Sequence, residues 1–319
     1  MNKFDLSFII PALNEAEHIG GVLDAISENA YGRFKFEVIV VDNGSTDRTI
    51  EISKKRGAAC LKVPGCTIST LRNIGANNAH SDILVFLDAD VYLGKDWGEQ
   101  IRPFIEKLCN QTNIVTGSFY GISEGNNWIE RIWFAPRTTQ KEVKYINGGH
   151  LILHKSLFKQ IGGFDPELET GEDYEFCARA REMGALIENN PGLKVIHAGY
   201  PKSIKKFFGR ERWHGRGDYK SLRTTFFSIP ALISLMNLFV AVLCIIGTSV
   251  RPHSWIIFSF CYIFFLVFVS VISSAYRCKG RVRSDFLLIV ILYIIYFEAR
   301  TVSLVDVVVN LLFGRKRTC

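Results

Sequence analysis

The chain has 319 residues, of which 48% are hydrophobic and 22% are charged, and its formal net charge is +7. A chain of this length can bury a sizeable core as one large domain or two ordinary ones, and the composition excludes a disulfide-stapled miniprotein and a disordered tail. Residues 202–319 carry 17 Lys and Arg against 5 Asp and Glu, whereas residues 1–201 carry 21 against 26. This asymmetry predicts an acidic catalytic part and a basic part that meets anionic lipid or nucleic acid.

The acidic part alternates short, β-branched apolar runs with longer amphipathic stretches. The runs predict buried strands, and the stretches predict the helices between them. The predicted strands are Leu6–Ile10, Phe36–Val41, Ala58–Val63 and Ile83–Leu87, and the predicted helices are Glu15–Asn29, Thr46–Arg56 and Ile68–His80. This order predicts an α/β fold class, Rossmann-like, with a mainly parallel sheet and helices on both faces. Ligands bind such sheets outside the carboxyl ends of the strands.

Two aspartates, Asp88 and Asp90, follow the last of these strands with Ala89 between them. Paired carboxylates at a strand end supply the oxygen ligands that Mg²⁺ or Mn²⁺ prefers when it bridges a diphosphate. A strand-end turn with two solvated aspartates is the alternative, and a D-x-D by itself favours that alternative. The surrounding motifs therefore have to distinguish a metal site from a solvated turn.

Three further segments accompany the aspartate pair. They are Pro11-Ala12-Leu13-Asn14-Glu15 after the first strand, Asp42-Asn43-Gly44-Ser45 after the second, and Leu71-Arg72-Asn73-Ile74-Gly75 on the helix before the pair. In this order and spacing, from Leu6 to about Trp213, the set resembles the family 2 glycosyltransferases, which have the nucleotide-sugar-binding GT-A fold.

The resemblance implies roles for the residues that match the family's motifs. Those that would bind the nucleotide sugar are Pro11, Asn14, Glu15, Asp42, Asn43, Arg72, Asp88 and Ala89. Asp90 would be the direct metal ligand, with Asp88 near the metal or the ribose. His197 lies where many GT-A enzymes have a third metal ligand, and an ordinary buried or surface histidine is an equal alternative.

The family often has a second aspartate where this chain has Asn43, so the donor nucleotide, UDP or GDP, stays open. The Asn43 carbonyl could accept the hydrogen bond from the base that this aspartate commonly accepts. The alternative is that Asn43 serves only the local turn.

A second acidic motif also resembles the family. Gly162-Gly163-Phe164-Asp165 precedes Thr170-Gly171-Glu172-Asp173, as in the family's acceptor-side motif. The resemblance implies that Asp173 is the general base and that Glu172 orients the acceptor or the loop. The residues that would form the acceptor side are Gly148, Gly149, Gly163 and Phe164. The alternative for the acidic pair is that it simply complements the dipole at a helix N-terminus. The nearby Asn147-Gly148-Gly149-His150 would shape the acceptor pocket, and for His150 an ordinary strand residue is an equal alternative.

Two apolar segments without a charged residue follow, at 226–250 and 255–276. Each exceeds the ~18–20 residues that span a bilayer core, and the connector Arg251–Ser254 makes them an antiparallel pair. A buried hairpin in a soluble core is the alternative. The basic flanks Lys202–Arg223 and Arg277–Arg283 predict, by the positive-inside rule, a multi-pass protein of the cytoplasmic membrane whose catalytic domain faces the cytoplasm.

The last apolar stretch, 286–313, is interrupted by Glu298, Arg300 and Asp306. A full crossing would place Arg315–Arg317 outside, so we expect a re-entrant or surface-lying hairpin bent near Glu298–Arg300. A tilted third span with those charges facing protein remains open. The predicted domains are 1–201 (GT-A catalytic domain), 202–225 (basic amphipathic interfacial segment) and 226–319 (membrane domain).

The interfacial segment contains Arg210 and Trp213, which resemble the Arg-Trp of processive polysaccharide synthases, although Gly209 stands where that family has glutamine. The alternative is a basic helix lying on anionic lipid, with Lys205 and Lys206 among its cations. Because the basic segments flank apolar spans, membrane lipid and not nucleic acid is the expected partner.

The sequence thus predicts a membrane-anchored, inverting, metal-dependent glycosyltransferase. It would move a sugar from a nucleotide-diphosphate sugar to a hydroxyl of a lipid-linked or cell-envelope glycan acceptor, with Mg²⁺ or Mn²⁺ as cofactor. A polyprenyl-phosphate glycosyl synthase is the alternative, but its phosphate acceptor needs no general base, so Asp173 argues against it. A non-catalytic nucleotide-binding membrane protein is disfavoured by the combination of Asp88, Asp90 and Asp173.

Overall fold

The computed structural model describes residues 4–122, 125–135, 143–168, 170–219, 225–226, 228–278 and 284–313, with side chains up to residue 310. The chain forms two compact units. The N-terminal unit contains the residues up to Asn126 and Ala135–Tyr200, and the C-terminal unit contains Asn127–Phe134 and the residues from Pro201 onward. The basic stretch Arg315–Arg317 and parts of both basic flanks of the apolar pair lie outside the described residues.

The N-terminal unit contains nine strands and six helices among its described residues. They are β1 (Leu6–Ala12), α1 (Ile19–Ala30), β2 (Phe36–Asp42), α2 (Thr49–Lys55), β3 (Ala59–Lys62), α3 (Ile68–Asn78), β4 (Ile83–Leu87), β5 (Val91–Leu93), α4 (Trp97–Asn110), β6 (Ile114–Gly117), β7 (His150–His154), α5 (Lys155–Ile161), α6 (Glu172–Glu182), β8 (Leu186–Asn189) and β9 (Val195–His197).

Seven of these strands form one sheet in the order β3-β2-β1-β4-β7-β6-β8, and β5 pairs with β9 in a small second sheet. The paired strands of the large sheet are parallel except at β7, which is antiparallel to both β4 and β6. The predicted mainly parallel α/β fold is therefore confirmed. The chain builds outward from β1 to β3 and then places β4 on the other side of β1, so the strand order reverses between β1 and β4. Ligands bind open α/β sheets at such a reversal.

Helices cover both faces of the sheet because successive strand residues point to opposite sides. In β1, Phe8 and Ile10 pack into an apolar cluster with residues of α1 and α4, while Ile9 packs into a second cluster with residues of α3, α5 and α6. Phe8, Ile9 and Ile10 are fully buried, which explains why the strand is a continuous apolar run.

Two helices begin later than predicted: α1 begins at Ile19 and not at Glu15, and α2 begins at Thr49 and not at Thr46. The loops before them bond to each other instead of extending the helices. The Thr46 amide donates to Asn14 Oδ1 (2.9 Å) and the Glu15 amide donates to Thr49 Oγ1 (2.8 Å). These contacts between two loops are tertiary and leave no trace in helical periodicity.

All the elements that the described residues of the C-terminal unit form are helical. Its elements are a π-helical turn (Glu130–Phe134), α7 (Ile204–Asp218), α8 (Ile229–Val250), a 3₁₀ turn (Pro252–Ser254), α9 (Trp255–Arg277) and α10 (Phe286–Phe313). Helices α8, α9 and α10 are each long and apolar enough to cross a membrane. Large side chains such as Phe239 and Phe260, 63% and 67% exposed, have the lipid-facing character that such spans require.

The predicted bend in the last apolar stretch is wrong, because α10 is one unbroken helix of 28 residues, about 42 Å long at 1.5 Å per residue. Its interrupting charges are satisfied by side chains of neighbouring helices, so the helix does not have to break to expose them. The bonded pairs are Tyr262 with Glu298 (2.6 Å), Arg300 with Asp218 (2.7 Å) and Arg212 with Asp306 (2.6 Å).

Helix α7 packs within the C-terminal unit through one apolar and several charged side chains. Phe207 is fully buried against Trp133, with ring centroids 5.2 Å apart. Arg210 donates to the buried carboxylate of Glu211 (2.8 Å), whereas Trp213 stays 41% exposed. Arg210 therefore already has a protein partner, and both the processive-synthase resemblance and the lipid-facing role of this helix remain predictions.

Candidate functional site

The candidate site lies at the carboxyl ends of β1, β2 and β4, the three adjacent strands at the reversal of strand order. The register aligns Ala12 at the end of β1 with Asp42 at the end of β2. The motifs that are far apart in the sequence therefore meet at one edge of the sheet.

The loop after β1 is held in shape by the loop after β2. Asn14 has φ 57°, a left-handed conformation that asparagine tolerates better than most residues. Its amide donates to Ser45 Oγ (2.8 Å), and its Oδ1 accepts from the Thr46 amide. Asn14 thus fixes the backbone beside Pro11 and Glu15, and its side-chain oxygen is already bonded.

Asp42 is fully buried, yet only one of its carboxylate oxygens has a described partner. Oδ1 accepts from the amides of Gly44 and Ser45, both at 2.9 Å, while Oδ2 has no hydrogen-bond partner among the described residues. A buried oxygen without a partner is costly, and a donor on a bound ligand would satisfy it.

The neighbouring Asn43 is engaged on both sides of its amide. Its Nδ2 donates to the Cys66 carbonyl and its Oδ1 accepts from the Cys66 amide, each at 3.0 Å. These bonds tie the loop after β3 to the loop after β2 and favour the interpretation of Asn43 as a structural residue.

Arg72, on α3, connects the aspartate pair to the second acidic motif. It is 1% exposed, and its guanidinium donates to Glu172 Oε1 (2.5 Å) and to Asp88 Oδ1 (2.7 Å). Burial alone would lower the pKa of Arg72, but the two carboxylates raise it above its ordinary value. A permanently charged guanidinium with planar, forked donors suits this bridge. Arg72 therefore holds two carboxylates in place, and its contact with the nucleotide remains a prediction.

Asp88 and Asp90 are partly exposed, whereas Ala89 between them is buried. Ala89 is 4% exposed and packs into the core beneath the sheet edge, so only its backbone can meet a ligand. The Ala198 amide donates to the Asp90 backbone carbonyl (2.9 Å), next to the ladder between β5 and β9. This pairing brings His197 Nε2 to 3.6 Å from Asp90 Oδ2.

Negative charge accumulates at this edge. Burial, followed by the nearby Asp90 and Asp88, raises the pKa of Glu15 to about 7. Burial also raises the pKa of Asp90, an effect that His197 opposes and Asp88 reinforces. A cation at this position would relieve the repulsion between these carboxylates.

The residues present fit a divalent cation whose remaining ligands come from the substrate. No group of three His, Cys, Asp or Glu side chains that could hold a metal occurs among the described residues. Mg²⁺-type ions are usually held by one or two carboxylates plus substrate phosphates, and Asp90 with His197 supplies a partial set of that kind. Asp88 contributes less freely, because its oxygens accept from Arg72 and from the Tyr120 hydroxyl (3.3 Å).

Asp173 lies in the first turn of α6, as predicted. Its Oδ2 accepts from the Gly148 amide (3.1 Å) and its Oδ1 from the Tyr174 amide (2.7 Å). Burial and the adjacent Glu172 raise the pKa of Asp173 to about 6. A carboxylate with this pKa is ionised at neutral pH and more basic than an ordinary aspartate.

The predicted acceptor-side glycines lie against charged side chains of the site. A Cβ at Gly148 would lie 2.8 Å from Arg72 Nη1, and a Cβ at Gly149 would lie 2.0 Å from Asp88 Oδ2. A Cβ at Gly199, which the sequence analysis missed, would lie 1.9 Å from Asp90 Oδ2. Only glycine lets the backbone approach these groups so closely.

The other predicted acceptor-side pair, Gly163 and Phe164, lies next to Arg72. Phe164 is 1% exposed, and Arg72 lies over its ring at 5.5 Å. Asn73 holds the Phe164 backbone through two hydrogen bonds of 2.8 and 2.9 Å, and Gly163 beside it has φ +74°. Phe164 is thus buried against Arg72, and its acceptor-side role remains a prediction.

His150 is a strand residue, the second of the two interpretations that the sequence left open. Its Nε2 accepts from Trp97 Nε1 (2.9 Å), and burial lowers its pKa to about 3. It is therefore neutral and structural. Tyr120, by contrast, contacts both Asp88 and His197, and no motif or spacing in the sequence indicated it.

Comparison with known proteins agrees with this geometry. Residues 7–161 match the family described as Glycosyl transferase family 2. The pre-mycofactocin glycosyltransferase of Mycobacterium tuberculosis is 26% identical over 263 residues, which are 77% of this chain and 53% of that protein. Glycosyltransferase AglE of Haloferax volcanii is 29% identical over 219 residues, 64% of this chain and 70% of AglE. The chain thus spans about half the length of the first of these relatives.

Among solved structures, the mannosyltransferase PcManGT from Pyrobaculum calidifontis, in complex with GDP-Man and Mn²⁺, superposes with a TM-score of 0.60. The alignment covers 98% of this chain and 88% of PcManGT at 17% identity, which is evidence for a common fold. Together with the sheet order and the motifs at its edge, these similarities identify residues 7–161 as a domain of glycosyl transferase family 2 with the GT-A fold.

Proposed function

We propose that the chain transfers a sugar, with inversion, from a nucleoside-diphosphate sugar to a hydroxyl of a lipid-linked or cell-envelope glycan acceptor. The observation that carries this proposal is the bridge of Arg72 between Asp88 and Glu172. It brings the aspartate pair and the carboxylate of Asp173 into one charged cluster. Inverting transfer by a single displacement needs a group for the leaving diphosphate and a base for the acceptor in one site.

The proposed donor site combines the unpartnered oxygen of Asp42 with the two candidate metal ligands Asp90 and His197. Asp42 Oδ2 would accept a hydrogen bond from the nucleoside, and Asp90 with His197 would hold a divalent cation on the diphosphate. When bound, that cation supplies the positive charge that stabilises the departing diphosphate. The solved neighbour PcManGT holds GDP-Man and Mn²⁺, which supports a nucleotide sugar and a divalent ion here, with either a UDP- or a GDP-linked donor.

Asp173 is the proposed general base. The acceptor oxygen attacks the anomeric carbon, its proton moves to a carboxylate oxygen of Asp173, and the bond from the anomeric carbon to the diphosphate oxygen breaks. Base catalysis of this kind typically contributes 10²–10⁴-fold. The pKa of about 6 leaves Asp173 ionised at neutral pH and able to take this proton. Glu172, fixed by Arg72, would orient the loop that carries the base.

The proposed location is the cytoplasmic face of the cell membrane. Helices α8, α9 and α10 are candidate spans, and the described cations Lys202, Lys205 and Lys206 precede them in the sequence. Basic residues beside spans favour the cytoplasmic side and attract anionic lipid headgroups. A lipid-linked acceptor would be found at this surface.

The test is a screen of the purified full chain in detergent for release of UDP or GDP from a panel of nucleotide sugars, with Mn²⁺, with Mg²⁺ and with EDTA. We expect release with at least one sugar, dependent on the metal and abolished in Asp90→Asn. Asp173→Asn should lose transfer to a hydroxyl acceptor by 10²–10⁴-fold, whereas the exposed Asp96→Asn should retain it. Transfer to a polyprenyl phosphate that survives Asp173→Asn would contradict the proposal, as would release that is equal in EDTA.

A further inference from the structure

The imidazole of His197 contacts two tyrosine rings. Tyr120 stacks on it with ring centroids 5.0 Å apart and an interplanar angle of 29°, and the ring of Tyr200 lies close to it in a tilted arrangement, with centroids 4.3 Å apart and an angle of 32°. Two rings at these distances and small interplanar angles restrict the rotation of the imidazole. The arrangement fixes the direction in which Nε2 points, which is toward Asp90 Oδ2 at 3.6 Å.

The backbone explains why Tyr120 reaches this position. The Gly121 amide donates to the Val195 carbonyl (2.7 Å), and the His197 amide donates to the Gly121 carbonyl (3.3 Å). The segment after β6 therefore runs beside β9, and the side chain of Tyr120 lies next to that of His197. These two residues are far apart in the sequence, and only this pairing brings them together.

Tyr120 makes a second contact with the site through its hydroxyl. The hydroxyl donates to Asp88 Oδ2 (3.3 Å), the oxygen of Asp88 that Arg72 does not bind. The fit is close, because a Cβ at Gly149 would lie 2.3 Å from the same hydroxyl. One side chain thus touches both the aspartate pair and the histidine beside it.

We propose that Tyr120 is a positioning residue of the metal site, an inference that rests on the proposed function. Its ring holds His197 and its hydroxyl holds Asp88, so that both groups are arranged before the cation and the diphosphate bind. Ordering ligands in advance removes part of the entropy cost of binding. Residues that orient metal ligands typically change metal affinity by 10–100-fold when they are mutated.

The two contacts of Tyr120 can be separated by mutation. Tyr120→Phe keeps the ring and removes the hydroxyl, whereas Tyr120→Leu removes both. The exposed Tyr31→Phe, 81% exposed and on another surface, is the matched control for loss of a hydroxyl. Mn²⁺ binding to the purified full chain is measured by the electron paramagnetic resonance signal of free Mn²⁺, with saturating UDP or GDP. Nucleotide binding in EDTA is measured by calorimetry.

We expect Tyr120→Phe to weaken Mn²⁺ binding about 2–10-fold, the value of one hydrogen bond, and Tyr120→Leu to weaken it about 10–100-fold. Binding of the nucleotide in EDTA should stay within about twofold, because Tyr120 acts on the metal ligands. In a His197→Ala background the two Tyr120 variants should become equal, since the ring then has no imidazole to hold. A role in general stability would not produce that convergence.

Two results would overturn the inference while leaving the proposed function intact. The first is Mn²⁺ binding to Tyr120→Leu within twofold of the wild type. The second is an unequal effect of the two Tyr120 variants in the His197→Ala background. If Tyr120→Leu fails to fold, Tyr200→Leu, which removes the second ring that contacts His197, should weaken Mn²⁺ binding in the same direction. Unchanged binding in that variant also counts against the inference. A wild-type chain that binds nucleotide but no Mn²⁺ would overturn the proposed metal site itself.

Discussion

Replacing Arg72 tests whether the charged bridge holds the site together. Arg72→Met keeps an unbranched side chain of similar length but removes the cation that Glu172 and Asp88 share. The carboxylate of Glu172, which is 7% exposed, is then left without a positive partner. Removing one partner of a buried ion pair costs about 3–5 kcal/mol, because the other charge stays desolvated without compensation. At about 2–4 °C per kcal/mol for a unit of this size, the unfolding temperature should fall by about 6–20 °C.

The assay is thermal unfolding of the full chain in detergent, followed by tryptophan fluorescence. Trp97 lies in the core of the N-terminal unit at 1% exposure and reports on its unfolding. The matched control is Arg48→Met, because the Arg48–Glu51 pair is solvent-exposed, with side chains 74% and 62% accessible. Exposed pairs contribute little to stability, so this variant should unfold within about 2 °C of the wild type.

A second substitution separates the effect of the uncompensated negative charge on stability from the effect of lost packing. Adding Glu172→Gln to Arg72→Met removes one of the two uncompensated carboxylates, and it should restore a large part of the lost unfolding temperature. The reasoning would be refuted if Arg72→Met unfolded like Arg48→Met. It would also fail if Glu172→Gln lowered the unfolding temperature further in the Arg72→Met background.

Three more predictions concern the base, the glycines and the membrane. The pKa of Asp173, raised to about 6 by burial and its neighbour, means that its basic form is lost as the pH falls, so kcat/KM should decrease about tenfold per unit below pH 6 and level off above it. Gly149→Ala, whose Cβ would lie 2.0 Å from a carboxylate oxygen, should lower donor binding at least tenfold, whereas Gly209→Ala, with open space around it, should be silent in calorimetry. In a cysteine-free chain, a membrane-impermeant maleimide added to intact cells should label His253→Cys but not Asp96→Cys, and the reverse pattern would contradict the proposed orientation.

Much of the N-terminal unit follows from local pattern. The continuous apolar runs could only be strands buried on both faces, and the polar residues after them had to meet at the carboxyl edge once the sheet was parallel. Asp42, Asp88 and Asp90 are therefore predictable as a group. The lengths of α8 and α9 follow equally from two charge-free apolar segments.

What the sequence could not determine depends on contacts between distant segments. Arg72 was expected near the nucleotide, but its burial between two carboxylates requires α3 and α6 to meet. Likewise, the charges in α10 predicted a bend because their partners on other helices were unknown, and Tyr120 became visible only when its segment paired with β9. Periodicity and motif spacing report the environment of a residue along the chain. The ion pairs and ring stacking that position the side chains of this site form between segments that are distant in the sequence. Only the tertiary structure brings those partners together.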